Sequence, residues 1–287
     1  MSSPAPTAAA PRSSAFARAT RSGGLALGVL IVVASIAAAV AAPWIAPFDP
    51  NAQDVLLVLS PPDGLHPLGT DAFGRDVLSR ILWGARISLY VGFVATLAGV
   101  VIGTVIGVVS GYYGGVVDRL VVAATDVLLS FPQLIMGLLL VAVLGATLTN
   151  LIIAIAVTAV PAFIRMARGS TLAMRERDFV DACRALGYSD MRIMFLHVLP
   201  NILDELVVMA SLWLATAIRT ESTLAFIGLS VPPPTSTWGG IVREGFDNLL
   251  DAPWMSIFPS LAILAVMIGL NLIGDGLRDA TDPRSPQ

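Results

Sequence analysis

Side chains that could carry chemistry are few in this sequence, and their types exclude most enzyme mechanisms. All 17 basic residues are arginine, so neither a phosphate-binding Walker A lysine nor a Schiff-base lysine is available. One cysteine, Cys183, and two histidines, His66 and His197, are too few for a Cys/His metal site. Neither an HExxH nor a GxSxG motif occurs. The sequence therefore predicts neither catalytic residues nor a metal site.

A polar segment at residues 177–201, RDFVDACRALGYSDMRIMFLHVLPN, separates two apolar stretches. Asp178 is a residue type that caps helix N-termini, and Asp181 three residues later completes a variant of the capping box. Gly187 can adopt the left-handed conformation that ends a helix at the C′ position. The pattern predicts a helix of two turns over residues 179–186.

The apolar residues of this predicted helix fall on one side of it, because their spacings are three, four and seven. They are Phe179, Ala182, Cys183 and Leu186. A short capped helix with an apolar face suits docking into a groove on another protein. An amphipathic helix on a membrane surface has the same pattern, and the local sequence leaves both interpretations open.

The elements that must position this segment are membrane-spanning helices. Of the 287 residues, 56% are hydrophobic and 13% are charged, and the mean hydropathy is +0.81. Soluble proteins average about 45–50% apolar and about 25% charged residues. The chain is therefore predicted to be an all-α integral membrane protein.

The first predicted span covers residues 25–46, whose 22 uncharged residues suffice to cross an apolar core about 30 Å thick. A cleaved signal peptide is the alternative, but the apolar run exceeds the core of about 7–15 residues that such peptides have. Residues 1–24, rich in Ala, Ser and Pro, are predicted to be a disordered tail.

Five further spans are predicted from the intervals that lack charged residues, two of which run over residues 87–117 and 127–164. The predicted spans cover about 87–110, 120–143, 148–165, 197–218 and 255–275. Six spans in total place both termini on the same side of the membrane.

Acidic residues fall within the third and the fifth of these predicted spans. A charge at mid-bilayer costs about 2.5–3.5 kcal/mol, so such groups face protein or water. Asp126 is expected to pair with Arg119 or with an arginine of residues 165–177. Asp204 and Glu205 lie near the start of the fifth span, and the alternatives there are solvation at the membrane edge and a polar lining of a channel mouth.

Arginine is distributed unevenly between the two sides that six spans define. Twelve arginines fall on the side of residues 177–201 and of both termini, and five fall on the other side. The positive-inside rule therefore predicts that the termini and residues 177–201 are cytoplasmic.

Two outer segments are predicted from the same layout. Residues 73–85 have the apolar and polar sides of an interfacial helix, which either covers the bundle or docks another protein. Residues 231–240, VPPPTSTWGG, are expected to be extended because consecutive prolines favour polyproline geometry. Trp238 and Trp254 are expected to anchor the protein at the membrane interface rather than to contact a ligand.

Residues 181–187, DACRALG, and HVLP at 197–200 together resemble the EAA motif of ABC importer permeases. That motif has a Glu-Ala-Ala-like triplet, a glycine, and a hydrophobic-x-Leu-Pro ending. Here Asp181 stands for Glu, Cys183 for the second Ala and His197 for the usual Ile.

Two further stretches carry a more specific resemblance. Residues 66–92 resemble the region between the first two spans of dipeptide and oligopeptide permeases, in particular the DppC/OppC-like member of the permease pair. Residues 221–245 resemble the last outer loop of the same proteins. The sequence is identified as a member of the dipeptide/oligopeptide (DppC/OppC-like) ABC importer permeases.

The resemblance implies a type I ABC importer permease fold with six transmembrane helices and a cytoplasmic coupling helix. After the tail and first span it implies an extracytoplasmic segment at 47–86 and a five-helix core at 87–287. The core includes a coupling loop at 167–200 and an outer loop at 219–254. Coupling to the ATPases is then assigned to Phe179, Asp181, Ala182, Cys183, Leu186, Gly187, Leu199 and Pro200.

The implied function is that of a permease subunit in an ATP-driven importer of dipeptides or oligopeptides in a prokaryotic plasma membrane. The expected partners are a second, DppB/OppB-like permease, two ATPase subunits and an extracytoplasmic peptide-binding protein, and no nucleic acid. ATP and Mg²⁺ would bind the ATPases, so no cofactor is expected in this chain. Nickel, glutathione or another small solute is the alternative cargo. A secondary carrier is the alternative mechanism, although the inverted repeat that would support it has no visible second copy.

Overall fold

The computed structural model describes residues 23–281. All named secondary-structure elements in this range are helices, which confirms the predicted all-α class. The predicted disordered tail lies outside the described residues, except that Gly23 and Gly24 already belong to the first helix. A 3-10 turn covers Val55–Leu57. The helices are α1 (Gly23–Ile45), α2 (Val77–Tyr113), α3 (Gly115–Ser130), α4 (Gln133–Leu144), α5 (Leu148–Arg175), α6 (Asp178–Ala185), α7 (Asp190–Ile227), α8 (Trp238–Asp247) and α9 (Trp254–Thr281).

Five of these helices, α1, α2, α5, α7 and α9, are long and apolar enough to cross a membrane. Helices α3 and α4 make a sixth span only if they are taken together, since they are bent by 89°. The span predicted at 120–143 is therefore not one continuous helix. Pro132 lies at the bend, where it has no N–H to donate and favours an extended Phe131, whose φ is −87° and ψ is 133°.

The centre of the bundle is the close packing of α2 against α5. Four glycines of α2, each four residues after the last, face α5. They are Gly99, Gly103, Gly107 and Gly111. A methyl group added at any of them would lie within 2.6–2.8 Å of an atom of α5. Stripes of small residues let helices approach closely in a membrane, and this stripe therefore sets the α2–α5 distance.

Helix α2 is longer than the predicted second span. It begins at Val77, where the Asp76 carboxylate accepts a hydrogen bond from the Ser79 N–H, and its 37 residues extend about 55 Å. The predicted separate interfacial helix at 73–85 is wrong, because no proline interrupts this stretch and its arginines are buried. The two ends of α2 therefore mark opposite ends of the bundle, here called the α8 end, at Val77, and the α6 end, at Tyr113.

Helices α5 and α7 also run past their predicted limits. Helix α5 continues ten residues beyond position 165, and α7 starts seven residues before position 197. Pro200 lies inside α7, where the preceding turn, Ile193–Val198, is π-helical and the Leu199 N–H bonds to the Met194 carbonyl. The helix continues through the proline because buried residues on both sides of it pack into one core.

Candidate functional site

The short helix α6 lies between α5 and α7 at the α6 end, one residue earlier than predicted. Asp178 is its first helical residue rather than its cap, and Arg177, at the cap position, makes no side-chain capping bond. The predicted capping box is therefore wrong. Asp181 instead pairs with Arg184 one turn later, with Oδ1 and Nη1 3.0 Å apart.

The C-terminus of α6 ends as the sequence predicts. Gly187 has a φ of +78°, and its N–H bonds to the Arg184 carbonyl at 2.9 Å. The Tyr188 N–H bonds to the Cys183 carbonyl at 3.1 Å. These two bonds form a Schellman motif, which confirms the left-handed C′ position of Gly187 and fixes where the chain leaves α6.

The predicted apolar face of α6 is divided between the inside and the outside of the protein. Val180 and Cys183 are buried in a cluster with residues of α2, α5 and α7, and Phe179 packs against that cluster. Ala182 is exposed, and Leu186 is 72% exposed. The predicted docking face is wrong where it includes Cys183, because Val180 turns inward and Cys183, three residues later, lies on the same side.

Tyr112, in the last turn of α2, connects several elements at this end. Its hydroxyl donates a hydrogen bond to Asp190 Oδ1 at 2.8 Å, and its carbonyl accepts one from Arg175 Nη1 at 3.2 Å. The Arg184 guanidinium lies 5.5 Å from the Tyr112 ring centroid. Interactions with Tyr112 and, less strongly, with Asp181 raise the pKa of Arg184. Sequence analysis missed Tyr112, since a tyrosine at the end of an apolar stretch gives no local signal of these contacts.

Residues 197–200 lie inside α7 and support its junction with α6. The His197 ring stacks on Tyr188, with ring centroids 5.6 Å apart. Leu199 packs against the buried cluster, whereas Pro200 is exposed. Their assignment to ATPase coupling stays a prediction.

Ion pairs fasten α3 to α5. Arg165 Nη2 lies 2.7 Å from Asp126 Oδ1, so of the two expected partners for Asp126 the structure selects one in residues 165–177. Both side chains are more than half exposed, and such pairs contribute little stability. Arg168 binds Asp118 through two bonds of 2.5 and 2.7 Å and is less exposed. The second pair, which sequence analysis missed, is therefore the stronger link.

Asp204 and Glu205 are both exposed on α7. The Glu205 carboxylate accepts a hydrogen bond from the Ser170 hydroxyl of α5. The lining of a channel mouth by these residues stays a prediction.

At the α8 end four charged side chains form a cluster, called here the arginine–carboxylate cluster. Its members are Asp71, Arg75, Arg80 and Glu244. Arg80 Nη1 lies 2.6 Å from Asp71 Oδ2 and 2.5 Å from Glu244 Oε2. Arg80 is only 2% exposed, so it is an internal clamp between α2 and α8 rather than part of an interfacial surface.

His66 has a structural position beside this cluster. Its Nδ1 lies 3.0 Å from Asp76 Oδ1, and its ring stacks on Phe48 at a centroid distance of 4.6 Å. Within residues 23–281 no three His, Cys, Asp or Glu side chains are grouped as a metal ion would require.

The two tryptophans expected at the membrane interface form hydrogen bonds to the backbone of α2 and of the loop before it. Trp238 is 2% exposed, and its indole N–H donates to the Ile81 carbonyl at 3.0 Å. The Trp254 indole N–H donates to the Thr70 carbonyl at 3.1 Å. The interface-anchor prediction is wrong for Trp238, because its indole packs in the protein core.

The segment at 231–240 is not extended throughout, because it turns at Pro233 and Pro234. Its course is fixed by tertiary contacts, since Ser236 accepts a hydrogen bond from Arg80 Nε at 3.2 Å and the Trp238 N–H donates to Ser88 at 3.2 Å. These contacts override the local preference of the prolines.

Solved structures of the MetNI methionine ABC transporter in inward-facing conformations are similar to this fold. A native crystal form gives a TM-score of 0.58 at 22% identity and covers 71% of this chain and 98% of the matched chain. A selenomethionine-soaked form gives 0.56 at 24% identity and covers 71% and 97%. The fold is therefore that of a type I ABC importer permease.

Sequence comparison agrees with the fold. The family described as the inner membrane component of binding-protein-dependent transport systems matches residues 103–285, and the chain belongs to this family of ABC importer permeases. The family is one of multi-pass membrane proteins that work with an ATPase and a binding protein.

Two relatives illustrate the similarity. The glutathione transport system permease protein GsiD of Escherichia coli O157:H7 is 43% identical over 256 residues, which are 89% of this chain and 84% of the relative. A putative peptide transport system permease protein of Brucella suis biovar 1 (strain 1330) is 40% identical over 258 residues, which are 90% and 87% of the two chains.

Proposed function

We propose that this chain is one of two permease subunits of an ATP-driven importer of small peptides, including glutathione. The observation that carries the proposal is the construction of α6, whose outer side exposes Ala182 and Leu186 while its inner side is buried among α2, α5 and α7. Relatives described as glutathione and peptide permeases support this class of cargo.

In this proposal an ATPase subunit binds the exposed side of α6. Displacement of α6 passes directly to the membrane helices, because Val180 and Cys183 share one buried cluster with them. The Schellman motif at Gly187 keeps the last turn of α6 rigid, so the helix moves as a unit. Asp181 and Leu186 lie on the exposed side and are the proposed contact residues.

The remaining partners complete the transporter. A second permease forms the other half of the channel, two ATPase subunits bind ATP and Mg²⁺, and an extracytoplasmic binding protein delivers the peptide. This chain itself is channel-forming, without catalytic residues or a cofactor. The α6 end and both termini are cytoplasmic, which the excess of arginine on that side supports. Residues 47–86 and 219–254 are then extracytoplasmic, and Asp204 and Glu205 line the inner mouth.

Reconstitution tests this function. The chain, its second permease, both ATPases and the binding protein, in liposomes, should accumulate radiolabelled dialanine and glutathione only with ATP. Deletion of residues 179–186 should abolish uptake while the membrane helices still insert. Uptake of neither solute would overturn the proposed cargo in favour of nickel or another solute. Accumulation by this chain alone on an ion gradient would instead establish a secondary carrier.

A point substitution tests the docking side of α6. Leu186→Asp places a charge on the proposed contact, so ATPase subunits should no longer co-purify with the permease pair. Leu250→Asp makes the same change at a residue that is 97% exposed between α8 and α9, and it should leave co-purification intact. Normal ATPase retention by Leu186→Asp would contradict the proposed contact.

A further inference from the structure

A cavity of about 390 Å³ lies at the α8 end, at the opposite end of α2 from α6. The loop between α4 and α5, the loop between α7 and α8, and helix α8 line it. Ligand pockets in proteins are about 300–1,000 Å³, so this cavity has room for a dipeptide or for one end of a longer peptide.

Two polar groups of the cavity lining have no partner within residues 23–281. Ser230 is 7% exposed, and its buried hydroxyl oxygen makes no hydrogen bond there. Arg243, which is exposed, makes no ion pair or hydrogen bond with the described part of the chain. Buried polar groups in native proteins are nearly always paired, and the Ser230 hydroxyl, which lines the cavity, is free to bond a group placed there.

The position of Arg243 depends on a glycine. Gly228 ends α7 with a φ of +92°, and the Arg243 guanidinium lies directly against it. A methyl group at this glycine would overlap the guanidinium. The absence of a side chain at Gly228 therefore leaves the space that the guanidinium occupies beside the cavity.

The charges around the cavity favour an anion. In the arginine–carboxylate cluster two arginines and two carboxylates neutralise one another, and Glu244, which lines the cavity, is held by both arginines. Arg243 adds one positive charge that has no ion-pair partner within residues 23–281. A guanidinium presents paired N–H donors whose geometry matches a carboxylate.

We propose that this cavity binds the carboxylate of a small peptide, with Arg243 as its ion-pair partner and Ser230 as a hydrogen-bond donor. The proposal rests on the proposed peptide cargo and adds to it a site in the permease itself. The site holds the peptide at the α8 end by its carboxylate, so peptides that lack a free carboxylate are bound more weakly.

Binding is tested on the two permeases and two ATPase subunits, assembled in nanodiscs without the binding protein. Scintillation-proximity measurements with radiolabelled dialanine and glutathione should detect binding that falls about tenfold in Arg243→Gln, the loss expected for one charge-assisted contact. Ser230→Ala should weaken binding about threefold, as for one neutral hydrogen bond. Arg243→Lys, which keeps the charge, should retain part of the affinity.

Two controls separate the site from general effects. Arg86→Gln removes a positive charge from the same α8 end of the bundle but from outside this cavity. This variant should bind both peptides as the unchanged chain does. Dialanine amide, which lacks the carboxylate, should bind the unchanged chain about tenfold more weakly than dialanine does. It should bind Arg243→Gln and the unchanged chain equally.

Equal binding of dialanine and its amide, equal binding by Arg243→Gln and the unchanged chain, or no binding of either peptide would each overturn the proposal. Unfolding midpoints of the variants establish that any loss is local. The uptake assay reports separately on the proposed function. If uptake does not depend on Arg243, only the binding site proposed here is refuted. If neither peptide is taken up, the proposed cargo is refuted.

Discussion

The Tyr112 hydroxyl donates a hydrogen bond to Asp190 Oδ1 over 2.8 Å, which joins the last turn of α2 to the first turn of α7. At its other end the same 37-residue helix is joined to α8 by the bonds of Arg80 to Glu244. One continuous helix therefore has a polar contact at each end. Relative movement of α2 and α7 near α6 must strain or break the first contact, while the second holds the far end of α2.

Tyr112→Phe tests this junction, because the substitution keeps the ring beside Arg184 and removes only the hydroxyl. Loss of the hydrogen bond should lower the free energy of unfolding by about 0.5–1.5 kcal/mol, measured by denaturant titration in detergent micelles. In the assembled transporter, peptide-stimulated ATP hydrolysis should also fall. Tyr113→Phe is the control, since the Tyr113 hydroxyl makes no hydrogen bond within residues 23–281. Equal losses in both variants would show that the Asp190 contact contributes nothing.

The division of α6 into an inner and an outer side predicts thiol reactivity. Cys183 is 8% exposed, so it should react slowly with a maleimide in the native permease and quickly after unfolding. In a Cys183→Ala background, Ala182→Cys should react rapidly, because position 182 is exposed. ATPase subunits should protect position 182 from labelling. Native Cys183 reacting as fast as a cysteine at 182 would contradict the burial of the inner side.

The existence of α6 and its C-terminal cap could be predicted from the sequence, but its orientation could not. Gly187 is a local signal, and a left-handed cap depends only on neighbouring residues. The inward side depends on tertiary packing, since over two turns an apolar stripe through Phe179 and one through Val180 fit the pattern equally well. Only contact with α2, α5 and α7 selects Val180 and Cys183.

The five long apolar helices could be predicted because they follow from the lengths of uncharged intervals, whereas the break between α3 and α4 could not. The helix ends could not, because α2, α5 and α7 continue where charged residues find partners or solvent. Arg80 illustrates the limit: its partner Glu244 is 164 residues away, and no local pattern connects them. The partner of Asp126 could be predicted in part, since the alternatives from the sequence included the observed partner, Arg165.

The backbone of Gly187 is tested by Gly187→Val. No heavy atom lies within 4 Å of a methyl group placed there, so the cost comes from the positive φ alone and should be on the order of 1 kcal/mol or more. ATPase co-purification and coupled uptake should fall. Gly187→Asn, a residue type that tolerates the left-handed region, should lose clearly less in both measurements. Identical losses for Val and Asn would mean that the positive φ is not the cause.

The glycine stripe of α2 gives opposite expectations for the same substitution at two sites. At Gly107 an added methyl group would lie 2.6 Å from the Ile164 carbonyl oxygen and 2.8 Å from the Ala167 Cβ, and neither can move without shifting α5. Gly107→Ala should therefore lower the free energy of unfolding by about 1–3 kcal/mol. Gly169, inside α5, has no heavy atom within 4 Å of such a methyl group. Gly169→Ala should raise the free energy by about 0.5–1 kcal/mol, because alanine favours the helix more than glycine does. Denaturant titration in micelles measures both, and changes of the same sign would show that close α2–α5 contact does not set the tolerance at Gly107.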